Sequence, residues 1–159
     1  MTTCVPSRQL VYRTKTIGVM KNLFGALLLC CFSVAASAQS VTGTWKTIDD
    51  NTGEAKSYIE VYEEGGKLHG RIVKLLRKPA DTTCDNCPGD LKDKPLVGMQ
   101  VMRDLKPYKD YYSYGTIMDP ESGKEYKCNL WLEDANTLGV RGYVGMSALG
   151  RTQNWVRVD

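Results

Sequence analysis

The sequence predicts an all-β fold, a single eight-stranded antiparallel up-and-down β-barrel formed by the chain after residue 38. Short stretches of alternating or β-branched residues recur every ten to fifteen positions. Clusters of Gly, Asp, Asn and Pro separate them, and no stretch keeps the 3.6-residue period of an amphipathic helix. Eight strands can close into a barrel that holds its own side chains or one small ligand.

The strands follow in order along the chain. The predicted strands are 41–48, 55–63, 67–76, 96–103, 111–118, 124–133, 137–144 and 151–158. Segments 49–53, 64–66, 119–123 and 134–136 carry residues suited to tight reversals, so neighbouring strands should pair. In strand 124–133 the alternation places Cys128 on the apolar face with Leu130 and Leu132, which predicts that Cys128 points into the barrel.

One long irregular segment, 77–95, separates the third and fourth strands and contains Cys84 and Cys87. Loops of this length are uncommon unless they are functional or mobile.

The first 38 residues are typical of a targeting segment. Lys21 precedes an apolar run at 23–36, and Ala36-Ser37-Ala38 matches an A-x-A cleavage signal. The run of 14 residues is shorter than the roughly 20 that span a membrane. We therefore expect a signal peptide at 20–38, a mis-assigned upstream extension at 1–19, and a periplasmic or secreted barrel domain at 39–159 without a transmembrane segment.

Charge argues against a nucleic-acid partner. Removing residues 1–38 takes away Arg8, Arg13, Lys15 and Lys21 and leaves 17 basic and 18 acidic residues, a formal net charge of −1. A nearly neutral domain of mixed charge offers no single-sign patch to a phosphate backbone.

Several motifs together carry a family resemblance. They are Gly43-Thr44-Trp45, Cys84 to Cys87 with Gly89-Asp90-Leu91-Lys92, Pro95 to Gly98, Asp119-Pro120 with Gly123-Lys124 and Tyr126, and Arg141-Gly142-Tyr143 through Gly150-Arg151-Thr152-Gln153 to Trp155. In these the chain resembles the bacterial exported family known as domain of unknown function 2147. The resemblance implies a lipocalin- or calycin-like barrel and no defined activity. Trp45 with Arg151 or Arg157 on the last strand is also similar to the lipocalin arrangement in which an arginine packs over a tryptophan.

Three cysteines remain after residue 38, and an oxidising compartment favours a disulfide among them. The spacing of the cysteines does not show whether Cys84 pairs with Cys87 or one of the two pairs with Cys128. A redox-active pair would need a helix N-terminus, which Pro88-Gly89 does not favour. A zinc site would need Cys84, Cys87, Cys128 and the lone His69, and a lone histidine is more often a surface or packed residue.

Polar and aromatic residues are densest near the C-terminus. Arg141, Tyr143, Arg151, Gln153, Trp155 and Arg157 all lie at odd positions, so they share a face within each strand. In one interpretation, that face is the solvated outer face, where Arg and Tyr side chains pair across strands. Alternatively, it lines a polar cavity, where planar donor groups bind a carboxylate or phosphate. Together with Trp45, these residues are our ligand-binding candidates.

The sequence offers no support for an enzyme. His69 lacks a neighbouring acid or serine motif, and no phosphate loop, dinucleotide motif or nucleophile elbow is present. We identify no catalytic residue and expect no cofactor. Our first hypothesis is a barrel that binds a small amphipathic molecule. The alternatives are a structural or interaction protein of the envelope that uses loop 77–95, and a thiol- or metal-dependent role of Cys84 and Cys87.

Overall fold

The structure, a computed structural model, describes residues 39–158, and the predicted upstream extension and signal peptide lie outside these residues. Residues 39–158 form a closed barrel of eight antiparallel strands. Each strand pairs with the next along the chain, and the first pairs with the last. The predicted fold class and its up-and-down order are confirmed.

The strands are β1 (Gly43–Ile48), β2 (Ala55–Glu64), β3 (Lys67–Leu75), β4 (Gln100–Tyr108), β5 (Tyr111–Asp119), β6 (Lys124–Asp134), β7 (Thr137–Tyr143) and β8 (Arg151–Arg157). The prediction for β4, residues 96–103, is wrong by several positions at each end. Asp104 has a positive φ of 60° within this strand, and Pro107 pairs with Tyr112 close to the hairpin tip. Aspartate and proline are both typical of turns, so the sequence pattern did not predict the second half of this strand.

Large apolar side chains fill one half of the barrel. Leu68, Leu105, Leu130 and Leu138 are fully buried there. Leu68 pairs with Leu105 across the β3–β4 ladder, so these two side chains stand beside each other on the inner face. Cys128 is also fully buried on the inward side of β6, as its alternation predicts.

The β3–β4 connection, residues 76–99, is folded against the barrel wall. The Cys84 N–H donates to Lys94 O at 2.9 Å, and the Leu96 N–H donates to Thr82 O at 2.9 Å. The Asn86 side chain donates to the carbonyl of Glu121 in the β5–β6 turn at 2.7 Å. These bonds give the long loop a defined structure.

The β5–β6 turn lets this loop approach because of a glycine. Gly123 has a φ of 68°, and a Cβ atom there would collide with the backbone carbonyl of Asn86. A side chain at this position would therefore be strained and would push the loop away. Within residues 39–158 there is no helix of the length and apolar character that a membrane span requires.

Candidate functional site

The two ends of the barrel differ in how they are filled. The β2–β3, β4–β5 and β6–β7 turns lie at one end, called here the closed end, over the leucine core. Residues 49–54, 76–99, 120–123 and 144–150 connect strands at the other, the open end. A cavity of about 630 Å³ occupies the half of the barrel beneath the open end.

Apolar side chains form the deeper wall of this cavity. Ile59, Ile72, Val101, Val140 and Trp155 line it, and each is at least nine-tenths buried. Ile59 and Ile72 pair across the β2–β3 ladder, so their side chains stand beside each other on the inner face. This wall can accommodate the apolar part of a ligand.

Polar groups line the cavity nearer to its mouth. The hydroxyls of Thr47 and Ser57 lie 2.8 Å apart, and both side chains are buried. Gln153 projects from β8 and accepts a hydrogen bond from the Trp155 indole N–H at 3.4 Å. Gln153 is thus linked to the apolar wall, and Thr47 and Ser57 add two hydroxyl groups to the cavity lining.

Asp50 links the cavity to its rim. The Gln153 side chain donates to the Asp50 carboxylate at 2.7 Å, and an Arg151 guanidinium nitrogen lies 2.5 Å from the same oxygen. The Arg151 side chain is 63% exposed. An ion pair so exposed is weak, so an incoming anion can compete with Asp50 for both donors.

Other ion pairs surround the mouth. Arg77 lies 3.1 Å from Asp49 and 3.3 Å from Glu54, while Lys56 lies 2.7 Å from Glu121. The backbone N–H of Asn51 holds the pKa of Asp49 below its ordinary value, and the N–H of Thr52 and the charges of Arg77 and Lys56 act in the same direction. The rim therefore carries both signs of charge.

Arg157 closes the opposite end. Its guanidinium carbon lies 4.1 Å from the centre of the Trp45 ring, a cation–π contact. The same group donates to three backbone carbonyls, those of Ala135 at 2.8 Å, Thr42 at 3.3 Å and Ser40 at 2.6 Å. Trp45 and Arg157 thus lie together and do not line the cavity, although Trp45 pairs with the cavity residue Ile59 across the β1–β2 ladder.

The register of β7 and β8 divides the C-terminal candidates. Leu138 pairs with Trp155 and Gly142 pairs with Arg151, so even positions of β7 face the same side as odd positions of β8. Arg151, Gln153 and Trp155 therefore line the cavity, whereas Arg141 and Tyr143 lie on the outer face. Arg141 donates to Ser147 O at 2.7 Å and to Ala148 O at 3.1 Å, which fixes the β7–β8 loop.

The cysteines are divided between two places. The Sγ atoms of Cys84 and Cys87 lie at disulfide-bonding distance, with their Cα atoms 5.4 Å apart. Cys128 is a free thiol inside the barrel, and burial raises its pKa to about 12. His69 lies on a different part of the barrel, with Nδ1 3.0 Å from Gln100 Nε2. The structure therefore does not bring together the four ligands of the zinc alternative.

Sequence reasoning missed much of the cavity wall. Ile59 and Ser57 alternate on β2 and could have been found from that pattern alone. Asp50 lies in the β1–β2 turn, where capping of the chain reversal explains an aspartate equally well. Its contact with Gln153, 103 positions away in sequence, depends on closure of the barrel.

Comparison with known proteins gives a family and a fold. The family model described as "Uncharacterized protein conserved in bacteria (DUF2147)" matches residues 43–157. Among solved structures, protein HP1028 from the human pathogen Helicobacter pylori, described as belonging to the lipocalin family, is similar with a TM-score of 0.67. The two chains are 20% identical over 76% of this chain and 84% of that chain, a likeness that shows the fold alone. No curated protein matches the sequence.

Proposed function

This chain belongs to the DUF2147 family of uncharacterised bacterial proteins, and we propose that it binds a small amphipathic molecule in the open end of its barrel. The cavity carries this proposal: about 630 Å³, apolar at depth and polar toward the mouth. Ligand pockets in proteins commonly measure about 300–1,000 Å³ and combine apolar walls with a few placed polar groups.

The arrangement of the wall indicates how such a ligand lies. Its apolar part packs against Ile72, Val140 and Trp155, where each buried methylene contributes about 0.8 kcal/mol. Its polar group lies near Gln153 and Arg151, in place of the Asp50 carboxylate. An anionic head group suits these donors, because a guanidinium binds a carboxylate or phosphate through charge-assisted hydrogen bonds.

A fluorescence titration with 1-N-phenylnaphthylamine, followed by displacement with dodecanoate, tests the proposal. Val140 lines the cavity and is 3% exposed, whereas Val156 on the same sheet is 39% exposed on the outer face. Val140→Trp fills the cavity and should weaken binding at least about tenfold, or 1.4 kcal/mol. Val156→Trp is the matched control and should bind as the natural protein does.

Two outcomes would contradict this function. One is equal affinity of the Val140→Trp and Val156→Trp proteins, with circular dichroism showing both folded. The other is failure of the unaltered protein to bind the probe or any alkyl carboxylate, phosphate or amine. The first would place binding elsewhere, and the second would leave the cavity without a ligand of this class.

The ligand is proposed to be bound after export, in the periplasm or outside the cell. The charged start, apolar run and cleavage signal of residues 20–38 support this location. Fractionation of expressing cells and N-terminal sequencing test it. We expect the mature protein outside the cytoplasm with Gln39 as its first residue, and a cytoplasmic protein that retains residues 20–38 would refute it.

A second candidate function, contact with a protein partner, rests on the β7–β8 loop. Val144, Met146 and Leu149 are 72%, 67% and 78% exposed, while Arg141 and Ser147 hold the loop in place. Ordered, exposed apolar side chains in a cluster are typical of interaction surfaces. The other alternative, loop 77–95, is mostly exposed, but its exposed residues are charged, polar, Gly, Ala or Pro and include no large apolar side chain. Photo-crosslinking from position 146 should capture one defined partner, and crosslinking from exposed Val73 should not.

A further inference from the structure

Four sulfur atoms meet where the β3–β4 loop packs on the barrel. The Sγ atom of Cys87 lies 3.6 Å from Sδ of Met118 and 4.0 Å from Sδ of Met99. Cys84 is the disulfide partner of Cys87. Each of the four residues is at most 6% exposed.

This spacing matches that of sulfur ligands around a metal ion. A thiolate–metal bond of about 2.3 Å separates ligands by about 3.8 Å around a tetrahedral ion and about 4.0 Å around a trigonal one. The separations of 3.6 and 4.0 Å from Cys87 lie close to those values, and reduction must separate the Cys84 and Cys87 sulfur atoms before both can bind one ion. Thiolate and thioether ligands suit Cu(I), Zn²⁺ and Fe–S clusters. Two neutral thioethers beside two thiolates favour Cu(I), the softest of these ions.

The sulfur atoms lie close to a backbone oxygen and to the open-end cavity. Beside the sulfur atoms, Cys84 Sγ lies 3.4 Å from the carbonyl oxygen of Pro120. Met118 and Pro120 also line the open-end cavity, which gives an ion a route from solvent to the sulfur atoms.

We propose that the reduced form of this loop binds one Cu(I) ion through the thiolates of Cys84 and Cys87 and the thioethers of Met99 and Met118. A dithiol reductant supplies two electrons and two protons, which break the Cys84–Cys87 bond and leave two thiols, and the reductant becomes a disulfide. Binding of Cu(I) then releases both thiol protons to solvent. Two thiolates, two neutral thioethers and one Cu(I) carry a net charge of −1.

The disulfide governs access to this site. In the oxidised form both cysteine sulfur atoms are bonded to each other, and two thioethers alone remain to hold the ion. Strong binding therefore requires reduction. The site does not depend on the amphipathic ligand, so either proposal can fail without the other.

Competition with the chromophoric Cu(I) chelator bicinchoninate tests the site under anaerobic conditions. The protein is reduced with a dithiol, separated from it, and compared with the oxidised protein. We expect the reduced protein to withhold one equivalent of Cu(I) and the oxidised protein to withhold none. Equal retention by both forms, or retention by neither, overturns the proposal.

Methionine variants separate a Cu(I) site from simple packing of sulfur atoms. Met118→Leu and Met99→Leu keep the apolar volume and should each weaken Cu(I) binding at least about tenfold, the usual scale for loss of a group that supports a metal site. Met146→Leu, at a position 67% exposed, and Cys128→Ala are the controls and should retain full affinity. Unchanged affinity in both Met118→Leu and Met99→Leu would overturn the assignment of the thioethers.

Discussion

The two ends of strand β8 carry arginines with opposite roles. Arg157 covers the Trp45 ring and donates to three backbone carbonyls, so it holds the closed end together. Arg151 is 63% exposed and pairs with Asp50, whose oxygen it shares with Gln153. Backbone carbonyls are fixed acceptors, whereas an exposed carboxylate can be replaced by another anion. The partner of each arginine therefore determines whether it stabilises the fold or is available to a ligand.

The same division applies to the interior. Leu68, Leu105 and Leu138 pack the closed half without exposure, and the open half contains the cavity. Apolar burial is the main favourable term in folding. Concentrating it at one end stabilises a barrel whose other end remains unfilled.

The largest expected effect is at the closed end. Trp45→Ala removes a fully buried indole and should lower the free energy of unfolding by about 3–5 kcal/mol, the usual range for a buried Trp replaced by Ala. Urea unfolding measures this loss. Trp131 is the control, because its ring lies over Gly139 on the outer face and its replacement by Ala should cost less. Equal losses would mean that the closed end holds no special share of the stability.

The next largest change in stability is expected from replacing the two arginines of β8. Arg157→Leu leaves carbonyl groups without their charged donor and should cost about 2–3 kcal/mol. Arg151→Leu should change stability by less than about 1 kcal/mol, as is usual for an exposed ion pair. Both values come from the same urea measurement, and a larger loss for Arg151→Leu would reverse the roles assigned to the two ends.

Stability measurements at alkaline pH test the burial of Cys128, which lies on β6 between β5 and β7. Burial raises its pKa from 9.0 to about 12 in the folded protein. Its contribution to stability is therefore complete below pH 9.0 and is lost as the pH rises from there toward 12. Unfolding measured across this range should show a shallower decline for Cys128→Ala than for the unaltered protein. An identical decline would show that the thiol is accessible to water.

The smallest effects concern two turn carboxylates, one at each end. The N–H of Asn51 lowers the pKa of Asp49 at the open end, and the N–H of Asn136 lowers that of Asp134 at the closed end. Both groups stabilise the fold above their ordinary pKa of 3.8, and this contribution is lost as the pH falls below it. NMR titration of the carboxyl carbons should give midpoints below 3.8 for both. A midpoint at or above that value would show that the turn bond is absent in solution.

Alternation and turn residues were enough to predict the barrel, but not every strand. Tyr126, Cys128 and Leu130 alternate with polar residues, and the following Asp134 marks the reversal. Asp104 and Pro107 interrupt the same signal in β4, where tertiary pairing overrides local preference.

The candidate site was only partly predictable. Odd and even positions lie on opposite faces of one strand, but the sequence does not show which of these faces points inward on the next strand. Arg141 and Arg151 both lie at odd positions, yet the register across the 144–150 loop places one outside and one at the mouth. The contact of Asp50 with Gln153 likewise forms only when β1 meets β8. The alternation pattern shows which residues share a face of a strand, and closure of the barrel determines which of these faces line the cavity.

We propose that the open end binds the ligand and that the closed end stabilises the fold. The most direct test of this division uses the three tryptophans of the sequence. Trp155 lines the cavity, Trp45 lies at the closed end, and Trp131 lies on the outer face. Indole N–H signals followed by NMR during titration with dodecanoate should show a large saturable shift for Trp155 and little change for the other two. An unmoved Trp155 signal, or a larger shift at Trp45 or Trp131, would contradict binding in the open end.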